Sequence, residues 1–380
     1  MKKSKKNNGD KTLLGGITPQ QFLREYWQKK PLMIRGAIPG FTGVLSAEEL
    51  AGLACEDDVQ SRLVSQAKGN WRLEHGPFEE ERFAKLHAKN WTLLVQSVNQ
   101  HLPEAMALLQ RFDFIPYARL DDLMVSYAPD GGGVGPHFDS YDVFLLQGQG
   151  KRLWRVSQQQ DLTLVEGVEL KILKNFHTEQ EWLLEPGDML YLPPHVAHWG
   201  VAVGDCMTYS IGFRAPSVQE LAGQFLNFMQ DRLDLAGVYA DADLKLQTHP
   251  AKISKAMLKE VVKAIKRIQW EEADVAEFLG CYLTEPKLHV VFDKPRSMNI
   301  AKFRQQLIHD GIQLSLKSQM LFDEQHCFIN GELVKMSPDN TVLMRQLADN
   351  RSLPAGGFED IFLIEKLHEW YLAGYVQFPK

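Results

Sequence analysis

Cysteine is scarce in this chain and poorly spaced for chemistry. The four residues, Cys55, Cys206, Cys281 and Cys327, are scattered and form no Cys-x-x-Cys pair. That excludes a cysteine-ligated zinc finger and suits the reduced thiols of a cytoplasmic protein. No apolar stretch is long enough to span a bilayer, so no membrane partner is expected. An excess of basic charge is missing too. The balance of 42 Lys and Arg against 48 Asp and Glu leaves a net charge of −6, so the molecule as a whole is no nucleic-acid binder by electrostatics, and direct sequence-specific DNA binding is not expected. Internal repeats and low-complexity blocks are also lacking. The start, Lys2-Lys3-Ser4-Lys5-Lys6, is basic but is followed by no apolar core. It reads as a solvated, disordered tail and not as a signal peptide.

The 380 residues are too many for one small domain and suit two or three. With 44% hydrophobic and 24% charged residues, the mix is that of a soluble globular protein. A helix is expected over 19–29. Thr18 is its N-cap, Pro19 its first residue and Gln21 the second half of a capping box. Residues 31–35 read as a strand and 46–110 as mainly helical. From 123 to 213 the texture changes. Short β-prone runs (123–128, 142–147, 152–156, 182–184, 189–192, 208–213) are punctuated by Gly and Pro, as in a barrel or sandwich. Gln147-Gly-Gln-Gly150 and Pro186-Gly187-Asp188 look like hairpin turns. Beyond Pro216 the chain turns helical, with amphipathic segments over 217–233 and 253–268. The second carries a lysine stripe, Lys252, Lys255, Lys259, Lys263 and Lys266, that reads as a solvated face. After Pro286 come a helix over 300–309, two strands within 319–334 joined by Asn330-Gly331, and helices near Thr341 and Phe358. This texture resembles a small winged-helix module.

The chemistry concentrates in Gly131-Gly-Gly-Val-Gly-Pro-His137-Phe-Asp139. On a strand, side chains two apart share a face, so His137 and Asp139 can enter one cavity together. The glycine run implies backbone close to a ligand or in unusual dihedrals. A third ligand has candidates in His195 and His198, beyond Gly187-Asp-Met-Leu-Tyr-Leu-Pro193. Two histidines and one carboxylate on one face of an octahedron leave three open positions, the arrangement of non-haem iron(II) oxygenases. Zinc could use the same ligands with one water.

These motifs resemble the paired sequence signatures of the cupin superfamily in the form used by JmjC-type oxygenases. The resemblance selects His198 over His195, which it makes a turn or rim residue. A closer likeness lies in Phe22-Leu-Arg-Glu-Tyr-Trp-Gln-Lys-Lys-Pro-Leu-Met-Ile34, Pro129 to Asp139, Tyr141-Asp-Val-Phe144, Gly150-Lys-Arg-Leu-Trp-Arg155 and Tyr209-Ser-Ile-Gly-Phe-Arg214. Over residues 22–214 the chain is similar to the bacterial ribosomal oxygenases. That resemblance implies iron(II), 2-oxoglutarate and O2 as cofactor and co-substrates. It also implies hydroxylation of an arginine β-carbon in a large-subunit ribosomal protein of the L-sixteen type. A keto acid bound to a metal leaves its distal carboxylate inside the barrel, where a cation must meet it. By resemblance that cation is Arg152 rather than the adjacent Lys151, with Ser126 as a hydrogen-bond partner. Asp130 matches a residue that contacts the target arginine, although Pro-Asp-Gly is by itself an ordinary turn signal.

The expected architecture is α+β in three parts. Residues 1–214 form a double-stranded β-helix catalytic domain, 215–285 a helical segment that makes a homodimer, and 286–380 a winged-helix-like domain. The rival readings are another JmjC-type hydroxylase or demethylase acting on histidine, asparagine or lysine, a metal cupin without oxygen chemistry, and a non-catalytic binding scaffold.

Overall fold

The computed structural model describes residues 13–67 and 69–379, so the basic tail lies outside the described residues. The chain divides into two compact units. One gathers the chain up to Ala215 with Lys287–Ser318 and the segment from Pro354 onward; the other gathers Pro216–Pro286 and Gln319–Leu353.

The first unit opens on helix α1 (Pro19–Glu25), which is shorter than expected. Thr18 does cap it, its hydroxyl accepting from Gln21 N at 3.1 Å. The Gln21 side chain turns to Glu25 at 3.3 Å and does not close a capping box. The helix buries Phe22 completely, edge-on to Tyr191 with ring centroids 4.9 Å apart. Truncating such a phenylalanine costs about 3–5 kcal/mol. Strand β1 (Leu32–Ile34) and helix α2 (Ala47–Leu53) follow. The expected helical run then gives way to three strands, β2 (Ser61–Ala67), β3 (Asn70–His75) and β4 (Trp91–Val95), with helices α3 (Glu80–Ala84) and α4 (Pro103–Gln110). Leu63, Leu93 and Val95 turn into the core. Arg62, Thr92 and Leu94 turn the other way, into a cavity. That is period-two burial, which wins over the helical reading.

The remaining strands are β5 (Leu120–Ala128), β6 (Val143–Gln147), β7 (Lys151–Ser157), β8 (Gln180–Leu184), β9 (Met189–Leu192), β10 (Ala197–Val203) and β11 (Cys206–Phe213). They build one eight-stranded sheet in the order β1-β9-β6-β11-β5-β4-β2-β3 and a facing three-stranded sheet, β10-β7-β8. The pairs within the two sheets are antiparallel. β6 and β7 therefore sit in different sheets, as do β8 and β9. The two turns expected as hairpins are corners that carry the chain from one sheet to the other. This alternation winds a double-stranded β-helix. Its large sheet has one face on a helix-covered core containing Phe22, Leu50, Leu109 and Phe112. The opposite face looks toward the small sheet across an apolar plug of Leu145, Trp154, Val156 and Leu190. Helices 300–310 and 361–373 complete this unit around the fully buried Phe303.

The second unit holds helices α5 (Val218–Gln230), α6 (Lys255–Ile265) and α7 (Glu272–Thr284), three antiparallel strands over 320–335 and the helix 341–350. Three strands stand where two were expected, and Asn330-Gly331 joins the last two. α7 packs Phe278 against Phe225 and Phe228, with centroids 5.4 and 5.7 Å away. Gly280 is required there, because a Cβ would come within 2.4 Å of the Phe328 ring.

Candidate metal centre and co-substrate cavity

Between the two sheets lies a cavity of about 520 Å³ whose wall includes His137, Asp139 and His198. His198 projects from β10, a strand the sequence did not announce. His137 and Asp139 are not on a regular strand as expected. His137 meets His198 in an isolated antiparallel bridge, with N–H to carbonyl bonds of 2.9 and 2.8 Å in the two directions. That bridge locks the two imidazoles side by side, centroids 4.2 Å apart. Each Nδ1 lies 2.9 Å from a backbone carbonyl, Gly135 for His137 and Val196 for His198. The carbonyl fixes the Nδ1–H tautomer and leaves Nε2 with its lone pair toward the cavity. His198 Nε2 is 3.6 Å from Asp139 Oδ2, and the three ligating atoms all lie within 4.8 Å of one another. Among the described residues no other group of three such side chains converges this way. Burial, reinforced by the neighbouring His137, pushes the His198 pKa down to about 4. It is therefore neutral at physiological pH, the form a metal requires. Two nitrogens and one carboxylate oxygen, with open space in front, fit a non-haem iron(II) ion.

His195 is exposed and left-handed, with φ +64°. Its backbone N–H donates to Asp139 O at 2.7 Å, so it shapes the turn beside the triad without joining it. Arg152 and Lys151 divide as strand alternation demands. Lys151 is outside, paired with Glu185 at 2.6 Å. Arg152 is 5% exposed and lines the cavity, and its Nε and Nη2 find no partner among the described residues. A buried guanidinium with unused donors is a site built for an anion. Ser126 lines the same cavity, its hydroxyl 3.5 Å from Thr208 O, a long contact that leaves it free to donate elsewhere. Asp130 lies apart from the cavity wall. Its carboxylate accepts from Lys89 Nζ at 2.8 Å and from Gly204 N at 3.0 Å, and its side chain is 46% exposed.

Sequence reasoning passed over several wall residues. Tyr141 donates its hydroxyl to Asp139. Asp122 is buried, with one carboxylate oxygen held by Ser97 N at 2.8 Å and Ser97 Oγ at 3.1 Å. Ser97 does this from a left-handed conformation, φ +54°. Burial raises the Asp122 pKa. The period-two pattern of β5 was the available signal, since Asp122, Met124 and Ser126 share one face.

Fold and triad together define a JmjC-type double-stranded β-helix, and the JmjC domain family model matches residues 107–221. A ROXA-like winged-helix model matches residues 267–377. The chain is 33% identical over 363 residues to a probable ribosomal oxygenase of Haemophilus influenzae, covering 91% of this chain and 89% of that protein. It is 42% identical over 233 residues to the ribosomal protein uL16 3-hydroxylase of Escherichia coli, a match spanning 61% of this chain and 62% of that one. The crystal structure of E. coli YcfD superposes with a TM-score of 0.84 at 32% identity, over 96% of this chain and 98% of that one. YcfD has also been solved with cobalt and 2-oxoglutarate, in a form that superposes with a TM-score of 0.81. The chain belongs to the ribosomal oxygenase family.

Proposed function

We propose that this protein is an iron(II)- and 2-oxoglutarate-dependent oxygenase that hydroxylates the β-carbon of an arginine in the large-subunit ribosomal protein uL16. The observation that carries the reading is the pairing, in one cavity, of the His137–Asp139–His198 triad with the unpartnered guanidinium of Arg152. A relative is named for uL16 3-hydroxylation, and another is solved with cobalt and 2-oxoglutarate, which supports both halves of it. Iron(II) bound there, with 2-oxoglutarate and dioxygen, supplies the oxidising chemistry.

The protein's own residues set the geometry. Neutral His137 and His198 offer Nε2, and Asp139 adds a negative charge that favours a dication. Tyr141 holds the Asp139 carboxylate in place. Arg152 grips the distal carboxylate of the co-substrate bidentately, with Ser126 donating a further bond. The plug around Trp154 keeps bulk water from that end. Asp130 meets the target guanidinium by exchanging its Lys89 partner for the incoming cation. The apolar residues exposed on α5 and α6, among them Leu226 at 60% and Ile265 at 59%, form the contact of a homodimer. No helix among the described residues is long and apolar enough to cross a membrane. Work on a ribosomal protein places the enzyme in the cytoplasm.

Mass spectrometry of ribosomal proteins from cells with and without this protein tests the reading. Loss of one oxygen atom's mass from a uL16 arginine on deletion is the expected result. An unchanged uL16, with the loss on another protein or on none, overturns the substrate assignment.

A further inference from the structure

Thr92 is a buried polar side chain that the site described so far leaves unused. It sits on β4, is completely buried, and its hydroxyl has no hydrogen-bond partner among the described residues. Buried hydroxyls nearly always have one, because an unmade bond costs the full desolvation of the group. Thr92, Leu94 and Gln96 share the inner face of β4 and line the cavity, while Leu93 and Val95 point to the core.

Strand register brings Thr92 to the Arg152 end. Leu93 pairs with Tyr127, so the antiparallel ladder sets Thr92 level with Ala128. Ala128 pairs with Cys206, and both cluster with Ala202. Ala202 in turn is the β10 partner of Arg152. Three small side chains therefore lie between the two residues and leave room for something else. His198 is four positions from Ala202 along β10, about 13 Å of strand. A metal-bound dicarboxylate pointing along the cavity from the triad brings its far end to this place.

Thr92 Oγ1, Arg152 Nε and Arg152 Nη2 are all capable donors lacking an acceptor, and one of the two groups is cationic. A water molecule would satisfy a hydroxyl but would leave the buried charge uncompensated. A carboxylate answers both needs. We infer that the Thr92 hydroxyl is a second hold on the distal carboxylate of the 2-oxo acid, closing on it from the large sheet while Arg152 grips it from the small one. Thr92 then acts as a positioning and selectivity residue. It sets how strongly the cavity prefers a 2-oxo diacid over a 2-oxo monoacid, and the inference rests on the keto-acid reading above.

Isothermal titration calorimetry tests this without turnover, on the full chain loaded with Mn(II) under anaerobic conditions. The probes are 2-oxoglutarate and pyruvate, which keeps the 2-oxo acid head and lacks the distal carboxylate. Thr92→Val keeps the shape and removes the donor. It is expected to weaken 2-oxoglutarate roughly tenfold or more, the usual worth of a hydrogen bond to a charged group. Pyruvate and Mn(II) affinities stay as in the wild type, which also shows that the variant is folded, and Thr92→Ser recovers most of the 2-oxoglutarate affinity. Equal 2-oxoglutarate affinity in Thr92→Val and wild type overturns the inference while leaving the keto-acid reading intact. So does an equal loss for both probes, which would make Thr92 a packing residue. Failure of the wild type itself to bind 2-oxoglutarate overturns the keto-acid reading, and this inference with it.

Discussion

Replacing Arg152 by alanine should weaken 2-oxoglutarate binding severely and leave the ligand-free protein no less stable. The guanidinium is buried in the cavity wall with Nε and Nη2 unpartnered among the described residues, and it bridges to no carboxylate of the chain. In the ligand-free state it therefore carries a desolvation cost with little return. Its removal relieves that cost and forfeits some packing of the stem near the Trp154 ring, 5.8 Å from Arg152 Cζ. The two effects oppose each other, so the melting temperature without ligand should stay level or rise. With co-substrate present the balance reverses. A charge-assisted contact is worth roughly 1.5–3 kcal/mol, which converts to about a 10- to 150-fold loss of affinity. Arg152→Lys keeps the charge but lacks the planar fork, and should fall between wild type and alanine. Thermal melts with and without 2-oxoglutarate and Mn(II), together with the KM for 2-oxoglutarate, give both readouts. Unchanged affinity in Arg152→Ala would refute the reasoning, and the anchor would have to move, for instance to Lys151, which the structure pairs with Glu185 outside the barrel.

His137→Ala, Asp139→Ala and His198→Ala should each abolish activity and tight metal binding, since each removes one of three protein ligands; His195→Ala should leave metal affinity largely intact, and the opposite ranking in metal titrations would disprove the ligand set. Asp130→Ala and Asp130→Asn should both sharply lower hydroxylation of an arginine peptide while 2-oxoglutarate turnover without peptide persists. Normal hydroxylation in either variant would reduce Asp130 to the loop tie that its contacts with Lys89 and Gly204 already describe. Light scattering should show a dimer at micromolar concentration, because the apolar side chains of α6 are exposed along its length. A monomer would mean that this face serves another purpose.

The centre of the site was legible because its ligands are tied to local patterns. His137 and Asp139 follow a glycine run, and the buried strands β5, β6, β9 and β11 are continuous or alternating apolar runs between turn residues. Other parts were hidden for physical reasons. β10, which carries His198, reads Ala-His-Trp-Gly-Val-Ala-Val, too small and too glycine-interrupted to look like a strand. Gly200 sits there because a Cβ would come within 2.7 Å of the Trp154 ring. β2 and β4 present polar residues such as Arg62 and Thr92 to the cavity. A polar interior breaks the usual rule that one face of a strand is apolar, so the helical reading of 46–110 came from the core-facing residues alone. The turns at 147–150 and 186–188 have hairpin chemistry, but the strands they join pair with partners distant in sequence, which turn composition does not encode.

The most direct test of the account is a single incubation of the purified protein with iron(II), 2-oxoglutarate, isotopically heavy dioxygen and recombinant uL16, read by tandem mass spectrometry and by succinate release. The account predicts one heavy oxygen atom on the β-carbon of one arginine, with succinate formed in equal amount, and neither product from His198→Ala or Asp139→Ala. Succinate without a modified arginine, or the oxygen on a histidine, asparagine or lysine, would contradict it.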